Sequence, residues 1–217
     1  EKTGLKIHEG YGQTESAILA GTFPGMTVKP GSMGKSAPGY DVEIVRADGK
    51  KCEPLESGSI KVRLTNGKPA GLLKGYFKNE EQTKAALGGE WYDTGDTAYY
   101  DDDGYIWFVG RNDDLIKSTG FRISPFEVES VLQQHPSVLE CAVTGMQDPK
   151  RGQVVKATIV LTKGFEATKD LDIELKTFAK EHLALYKIPR VIEFVDELPK
   201  TISGKIRRAQ IRADDAQ

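Results

Sequence analysis

Apolar and polar residues alternate along much of the first half of the chain. Residues 40–44 read Tyr-Asp-Val-Glu-Ile, and residues 60–64 read Ile-Lys-Val-Arg-Leu. This period of two is typical of strands that bury one face. The acidic run at 101–104 ends in glycine between two further apolar stretches and predicts a hairpin. The pattern also predicts a strand at 5–8 and two helices, one from Thr14 and one over 79–87. Since strands outnumber helices among these elements, we expect this half to be mostly β.

The pattern changes after Gly110, and the second half combines helices with strands. Ser124-Pro125-Phe126-Glu127 is a capping box with proline at the first helical position, so a helix is expected to begin at that proline. This helix should end near His135, because Pro136 cannot continue the hydrogen-bond ladder. The other predicted elements of this half are strands at 138–143, 154–161 and 191–195 and helices at 171–183 and 206–213.

The change of pattern also sets the domain organisation that we expect. A length of 217 residues fits one large domain or two small ones. We place the boundary at Asp113, so that residues 1–112 form a β-rich region and residues 113–217 form a small α+β region. The fold class predicted for the whole chain is α+β.

Composition argues against several classes of function. The net charge of −2 at pH 7 gives no bulk attraction to nucleic acid or to an anionic membrane. No apolar run approaches the roughly 20 residues of a membrane-spanning helix, and the first residues lack the pattern of a signal peptide. The two cysteines, Cys52 and Cys141, lie far apart, and we expect buried or incidental thiols of a reducing compartment. The chain is therefore predicted to be cytoplasmic.

Two segments of the first half carry candidate chemistry. Residues 11–15, Tyr-Gly-Gln-Thr-Glu, combine backbone N–H groups before a predicted helix with a hydroxyl and a carboxylate, which suits a phosphate with bound Mg²⁺. A capped helix after a glycine turn is the alternative, and the segment by itself favours it. Residues 91–96, Trp-Tyr-Asp-Thr-Gly-Asp, place Asp96 in a glycine turn where its carboxylate can accept the hydroxyls of a ribose. An ordinary surface turn is the alternative there.

Two basic segments follow. Residues 110–122 contain Arg111 and Arg122 close to the predicted boundary, where two domains can close on a polyanion. A solvated charged face is the alternative. Residues 198–205, Leu-Pro-Lys-Thr-Ile-Ser-Gly-Lys, end in Lys205, which follows a flexible Ser-Gly pair and can swing a point charge into a site. A basic surface tail is the alternative, and the segment is not a P-loop because the required glycine is missing.

In this order, the four segments resemble the adenylate-forming superfamily of acyl-CoA synthetases, adenylation domains and luciferases, over nearly the whole chain. The resemblance implies an enzyme that activates a carboxylic acid with ATP and then transfers the acyl group to coenzyme A. It also implies that residues 1–112 are the β-rich end of a large N-terminal domain and that residues 113–217 are a complete, mobile C-terminal domain. The passages most similar to the medium-chain acyl-CoA synthetases, including relatives acting on short and branched acids, are residues 29–34, 103–105, 125–129 and 151–157.

The resemblance implies an ATP site in the first half of the chain. Thr14 is expected to contact the ATP phosphates, and Glu15 is expected to hold Mg²⁺. Asp96 is expected to bind the ribose hydroxyls with help from Arg111. The residues expected to line the adenine and acyl side of the nucleotide pocket are Glu9, Gly10, Tyr11, Gly12 and Gln13.

The same resemblance implies that residues 113–217 act in both half-reactions in turn. Asp113 is the expected hinge about which this region rotates between them. Lys205 is the expected catalytic lysine of adenylation, and Arg122 is expected to approach the phosphate from the opposite surface of the domain. The residues expected at the coenzyme A site are Thr119, Gly120 and Phe121 in the wall of a pantetheine tunnel and Arg151 and Lys180 at the nucleotide phosphates.

The sequence departs from the family in two respects. The family usually has Pro where this chain has Leu185 and often an aromatic residue where it has Ile188, and both positions flank Lys187 near the expected coenzyme A site. The glycine-rich phosphate loop and most of the acyl pocket of the superfamily are also not found here. We therefore expect that an N-terminal portion of the same enzyme is missing from this sequence. We also expect the isolated chain to be inactive.

Two other functions stay open at this point. One is an adenylation domain that loads a carrier-protein thiol in place of coenzyme A, and the other is a non-catalytic nucleotide-binding module. No carrier domain follows Lys205 in this sequence, which favours coenzyme A as the acceptor. The intact Glu15, Asp96 and Lys205 favour a catalytic protein over a binding module.

Overall fold

The computed structural model describes residues 3–215. The chain divides into two compact units, residues 1–112 (unit 1) and residues 113–217 (unit 2). Both units contain helices and strands, so the predicted α+β class is confirmed. The origin of unit 1 as the end of a larger domain stays a prediction.

Unit 1 consists of two antiparallel sheets and one short helix. Its elements are β1 (Gly10–Gly12), β2 (Ile18–Gly21), β3 (Lys35–Ser36), β4 (Val42–Val45), β5 (Gly58–Arg63), α1 (Glu80–Leu87), β6 (Trp91–Tyr100) and β7 (Ile106–Arg111). The strand orders are β1-β2-β3 and β4-β5-β6-β7. The predicted alternation is confirmed, because Ile44, Ile60 and Val62 are buried whereas the intervening Glu43 and Lys61 are half-exposed. The hairpin predicted around 101–104 joins β6 to β7.

The helix predicted from Thr14 and the strand predicted at 5–8 are both wrong. Residues Ile18–Gly21 form β2, which pairs antiparallel with β1. Leu19 and Ala20 belong to different buried clusters, which is the arrangement of a strand covered on both faces. A short apolar run of this kind cannot be distinguished from a turn of buried helix by its pattern alone.

Unit 2 builds a five-stranded sheet with helices against it. Its elements are β8 (Ile116–Ser118), β9 (Phe121–Ile123), α2 (Pro125–Leu132), β10 (Val138–Asp148), β11 (Gly152–Leu161), α3 (Lys169–His182), a 3₁₀ turn (Leu185–Lys187), β12 (Val191–Phe194) and α4 (Arg208–Asp214). The order is β10-β11-β8-β9, and β12 pairs with β11 in parallel. Helix α2 begins at Pro125 as predicted, and Ser124 Oγ accepts a hydrogen bond from Glu127 N at 3.2 Å.

The sheet of unit 2 is covered on both faces. Cys141 on β10 packs in one buried cluster with α2 and α3, whereas its neighbour Ala142 packs with Leu198 and with Ile211 of α4. Successive residues of a strand point to opposite faces. The segment that leads to Lys205 is therefore attached to the face that α4 covers.

Both cysteines are free and buried, as the composition predicts. Cys52 lies in unit 1 and Cys141 in unit 2, and burial raises the pKa of both thiols. Within residues 3–215, no helix is long and apolar enough to cross a membrane.

Candidate functional site

Asp96 is a buried carboxylate held from several sides. It is 4% exposed and lies on β6 opposite Arg111 on β7. Its Oδ2 accepts hydrogen bonds from the Tyr11 hydroxyl at 2.5 Å and from Gln13 Nε2 at 2.7 Å, and its Oδ1 lies 3.4 Å from Arg111 Nη1. The fold thus brings together four of the predicted site residues around one negative charge.

The protonation of Tyr11 follows from the same contacts. Burial, and after it the hydrogen bond to Asp96, raises the pKa of the Tyr11 phenol above its ordinary value. The hydroxyl therefore stays protonated at neutral pH and acts as a donor to Asp96. An acceptor with two fixed donors is preorganised before any ligand arrives.

Two tyrosines that were not among the predicted site residues extend this network. The Tyr92 hydroxyl donates to Gln13 Oε1 at 3.0 Å, while Gln13 Nε2 also donates to the Thr94 carbonyl at 2.8 Å. The Gln13 amide therefore has one defined orientation. The Tyr76 hydroxyl donates to Glu15 Oε1 at 3.3 Å. Tyr92 lies inside the predicted segment 91–96, but no sequence signal indicates Tyr76.

Thr14 and Glu15 lie in the turn between β1 and β2. Ser16 N donates to the Gln13 carbonyl at 3.1 Å, and the Glu15 carbonyl accepts from Leu73 N at 2.7 Å. Because no helix begins here, the attraction of a helix N-terminus for phosphate does not apply. The turn still offers an exposed hydroxyl at Thr14 and a half-exposed carboxylate at Glu15.

The side chains of this turn fit a magnesium ion that is held mainly by a substrate. No group of three His, Cys, Asp or Glu side chains that could hold a metal occurs in the described region of the chain. Mg²⁺ is commonly bound by one or two carboxylates together with substrate phosphates and water. Glu15 can supply the single carboxylate of such a site.

The remaining predicted residues of unit 1 shape the backbone beside this turn. The Glu9 carbonyl accepts a hydrogen bond from Thr22 N at 2.9 Å. Gly10 and Gly12 lie in β1, and a Cβ added at Gly12 would lie 2.5 Å from the Ala17 carbonyl oxygen. The β1–β2 hairpin therefore requires glycine at position 12.

Lys205 ends a closed turn in unit 2. Lys200 and Ile206 form a β-bridge at its base. Thr201 N donates to the Lys205 carbonyl at 2.8 Å, and Lys205 N donates to Thr201 Oγ1 at 3.0 Å. Gly204, at a φ of 82°, lies inside this hydrogen-bonded turn. The flexibility expected of the Ser-Gly pair stays a prediction. The Lys205 side chain is exposed, with no hydrogen-bond or ion-pair partner among residues 3–215.

A second turn in unit 2 contains the residues predicted for the pantetheine tunnel. Thr119 and Gly120 form the two-residue loop between β8 and β9, with φ values of 49° and 84°. Two positive φ angles are typical of a type I′ hairpin, but they are uncommon for a β-branched residue. Thr119 N donates to the Arg151 carbonyl at 3.0 Å, so two of the predicted coenzyme A residues are neighbours.

Three further residues predicted to act in unit 2, Phe121, Arg122 and Lys180, lie on its surface. The Phe121 ring stacks on Tyr186 with centroids 4.2 Å apart. Arg122 is exposed on β9, and Lys180 is exposed on α3. Leu185, at a position where the family usually has Pro, begins the 3₁₀ turn and is 74% exposed.

Comparison with known proteins identifies relatives of both units. Residues 127–205 match the family described as the AMP-binding enzyme C-terminal domain. The chain is 48% identical over 214 residues to the mitochondrial acyl-coenzyme A synthetase ACSM3 of Mus musculus. It is 50% identical over 213 residues to 4-hydroxybutyrate–CoA ligase 1 of Metallosphaera sedula. Each alignment covers 98% of this chain and 37% of the relative, so the chain spans little more than a third of these proteins.

Solved structures agree with this relationship. An anthranilate CoA ligase in complex with anthranoyl-AMP matches 98% of this chain with a TM-score of 0.87 and 40% identity. The o-succinylbenzoate CoA synthetase of Bacillus subtilis, in complex with its acyl-adenylate intermediate, matches 97% with a TM-score of 0.85 and 38% identity. The matches cover 40% and 42% of those chains.

The fold and these matches define the class of protein as adenylate-forming enzymes. Residues 127–205 belong to the family described as the AMP-binding enzyme C-terminal domain, and the relatives that are 48–50% identical to the chain include acyl-coenzyme A synthetases and a CoA ligase.

Proposed function

We propose that this chain is the C-terminal portion of an AMP-forming acyl-CoA synthetase, with the end of the N-terminal domain in unit 1 and the C-terminal domain in unit 2. The observation that carries the proposal is the buried Asp96 carboxylate, held by Tyr11, Gln13 and Arg111. A preset negative acceptor of this kind suits the hydroxyls of a ribose. The two solved relatives in complex with an acyl-adenylate support the same assignment.

In the first proposed half-reaction, a carboxylate oxygen of the acid attacks the α-phosphorus of ATP. A new P–O bond forms while the bond to pyrophosphate breaks. Two anions approach one another in this step, and the exposed ammonium of Lys205 offsets their repulsion. Thr14 contacts the phosphates, and Glu15 would hold Mg²⁺, which would supply further positive charge to offset the negative charge of the phosphates. Asp113 is the proposed hinge, and Arg122 is proposed to approach the phosphate from another surface of unit 2.

In the second proposed half-reaction, the thiol of coenzyme A attacks the acyl carbon. A C–S bond forms while the C–O bond to AMP breaks, and the thiol proton leaves with solvent. The hairpin loop at Thr119 and Gly120 leaves room for pantetheine to approach its backbone, because a Cβ added at Gly120 would have no heavy atom within 4 Å. Phe121 adds an aromatic face there, and the charges of Arg151 and Lys180 suit the nucleotide phosphates of coenzyme A.

The proposed substrate is a short-chain, medium-chain or branched carboxylic acid. The support is the similarity to an acyl-coenzyme A synthetase and to a 4-hydroxybutyrate–CoA ligase. A cytoplasmic location stays a prediction, and the Mus musculus relative is named as a mitochondrial protein. We also propose that the 217 residues alone are inactive, because much of the ATP and acid sites lies in the region of the relatives that this chain does not span.

The test uses the full-length enzyme and its Lys205→Met variant. Adenylation is measured as acid-dependent exchange of pyrophosphate into ATP, and thioester formation is measured separately from supplied acyl-adenylate. We expect Lys205→Met to lower adenylation by about 10²–10³-fold, the scale for removing one preorganised transition-state group. Lys163→Met, at another exposed lysine of unit 2, is the matched control and should leave both steps unchanged.

Three results would contradict the proposal. Equal losses of both half-reactions in Lys205→Met would show that Lys205 does not act in adenylation alone. Acylation of a phosphopantetheinylated carrier protein in preference to coenzyme A would establish the other acceptor. Formation of acyl-CoA by the purified 217-residue chain would show that it needs no further region of the enzyme.

A further inference from the structure

We propose that Thr201 is a positioning residue that presents Lys205 for adenylation. The inference rests on the proposed function, because it assumes that Lys205 acts in that step. It adds a residue whose side chain does no chemistry itself but fixes the backbone from which the lysine side chain extends.

Three hydrogen bonds join Thr201 to Gly204 and Lys205 inside the turn. The Thr201 N–H donates to the Lys205 carbonyl at 2.8 Å, its Oγ1 accepts from Lys205 N at 3.0 Å, and its carbonyl accepts from Gly204 N at 2.9 Å. Both backbone polar groups of Lys205 are thus bonded to one residue. The hydroxyl supplies one of these two bonds, so its removal leaves Lys205 N without its partner in the turn.

The tip of the turn projects away from the rest of unit 2. Ile202 is fully exposed, and Ser203 and Gly204 are exposed as well. The Ser203 hydroxyl lies 3.0 Å from Thr201 Oγ1, within hydrogen-bond distance. The conformation at the tip therefore depends on hydrogen bonds within the turn. Thr201 takes part in all four of these hydrogen bonds, with Ser203, Gly204 and Lys205 as its partners.

The two ends of the turn, in contrast, are anchored. Leu198 is buried in the cluster on the α4 face, and Arg207 N donates to the Pro199 carbonyl at 2.8 Å. Lys200 Nζ forms an ion pair with Glu140 Oε1 on β10 at 2.6 Å. Loss of the Thr201 hydroxyl should therefore loosen the tip without releasing the segment from the sheet.

A fixed backbone matters for this lysine because its side chain is long. The ammonium lies at the end of a flexible stem of four carbons. When the backbone is held, only the stem must be ordered to reach the transition state. When the backbone also moves, the productive geometry is populated less often. The rate of adenylation, the step that uses the ammonium, should then fall.

The experiment compares Thr201→Val with Thr201→Ser in the full-length enzyme. Valine keeps the shape and the β-branch but lacks the hydroxyl, whereas serine keeps the hydroxyl. We expect Thr201→Val to lower kcat of adenylation about three- to tenfold, the equilibrium weight of one hydrogen bond, with KM for ATP unchanged. Thioester formation from supplied acyl-adenylate should be unchanged, and Thr201→Ser should retain the wild-type adenylation rate.

A second measurement reports on the turn without any reaction. Trypsin cleaves after Lys205 only when the backbone there can leave its turn conformation. We expect the cleavage product ending at Lys205, detected by mass spectrometry, to form faster in Thr201→Val than in the wild type or in Thr201→Ser. Ser203→Ala, which retains the bond between Thr201 Oγ1 and Lys205 N, is the matched control and should resemble the wild type.

The outcomes separate this inference from the proposed function. Wild-type adenylation in Thr201→Val, together with a strong loss in Lys205→Met, would overturn the positioning role alone. Equal losses of both half-reactions in Thr201→Val would also overturn it, because a general structural defect would then explain the effect. Wild-type adenylation in Lys205→Met would overturn the proposed role of the lysine and this inference with it.

Discussion

Asp96 and Lys205 are two charged residues that are fixed by opposite means. Asp96 is buried, and its hydrogen-bond donors Tyr11 and Gln13 lie 85 and 83 positions away in the chain. Lys205 is exposed, and its backbone is bonded to Thr201, four positions away. One site is thus made by the tertiary fold of unit 1, and the other by a single turn of unit 2.

The difference corresponds to what each group is proposed to do. A carboxylate that recognises a ribose benefits from a rigid, water-poor setting in which its acceptors have one orientation. A lysine that acts in one half-reaction and then withdraws has to be solvated between events, and a surface turn permits this. If this contrast is correct, changes in the tertiary contacts of each unit should have distinct and measurable effects.

The first prediction tests whether an ion pair anchors α4, the helix that follows the Lys205 turn. Arg208 of α4 donates from Nη2 to Glu129 Oε2 at 2.7 Å, and Glu129 is 5% exposed. Removal of one partner of a buried ion pair leaves the other charge uncompensated. We expect Arg208→Met to lower the free energy of unfolding of unit 2 by about 3 kcal/mol.

The matched control is its neighbour Arg207→Met, at an exposed position, which should change stability by no more than about 0.5 kcal/mol. Urea denaturation followed by far-UV circular dichroism measures both variants. Trp91 and Trp107 lie in unit 1, so their fluorescence provides a separate record of that unit. Equal losses in the two arginine variants would show that the Glu129 ion pair does not anchor α4.

The second prediction removes the charge at the centre of the unit 1 site. Asp96→Asn keeps the size of the side chain but replaces the ionised acceptor that Tyr11 and Gln13 approach. Hydrogen bonds to charged groups contribute about 1.5–3 kcal/mol. We therefore expect the full-length variant to bind AMP about ten- to a hundredfold more weakly. Asp102→Asn, exposed in the β6–β7 turn, should bind AMP like the wild type, and equal affinities of all three proteins in calorimetry would contradict the ribose role.

The third prediction compares two glycines with similar backbone angles. Gly95 and Gly104 have φ values of 73° and 77°, so alanine at either position should cost about 1–2 kcal/mol of backbone strain. A Cβ at Gly95 would also lie 3.2 Å from Arg111 Nη2, whereas a Cβ at Gly104 would have no heavy atom within 4 Å.

Both alanine variants should therefore lose stability to a similar extent in thermal denaturation. Only Gly95→Ala should displace the Arg111 side chain and weaken AMP binding by a few-fold in the full-length enzyme. The same AMP affinity in both variants would show that Arg111 does not need its present position beside Asp96.

The fourth prediction concerns pH and a carboxylate of unit 1 outside the site. Burial opposes ionisation of Asp101, but hydrogen bonds from Lys29 Nζ, Tyr105 N and Trp107 Nε1 lower its pKa to about 2. An unfolded aspartate has a pKa of about 3.9. The stabilisation is therefore present above about pH 4 and is lost as the pH falls through about 2.

We expect the wild type to melt at a higher temperature than Asp101→Asn at pH 7 and this gap to close towards pH 2. Thermal melts of both proteins across that range measure the gap, with Asp102→Asn as the control from the same turn. A gap that stays constant with pH would show that the ionised form of Asp101 contributes nothing to stability.

Sequence patterns predict the elements of this protein well where the signal is local. Helix α2 begins at Pro125 as predicted, because a capping box acts within four residues. The run Ala17-Ile18-Leu19-Ala20 is wrongly predicted as helix, because only pairing with β1 and burial on both faces make it a strand. The predicted flexibility before Lys205 stays a prediction, because glycine and serine suit both loose and hydrogen-bonded turns.

The sequence by itself determined the α+β class, the strands with a period of two, the capped helices and the residues that carry charge, since these depend on neighbours in the chain. It also carried the family resemblance that the comparisons confirmed. Only the tertiary structure decided that Tyr11 and Gln13 point at Asp96, that Tyr92 orients Gln13, and that Glu129 meets Arg208. These contacts join positions far apart in the chain, and their geometry is set by strand register and packing, which no local pattern encodes.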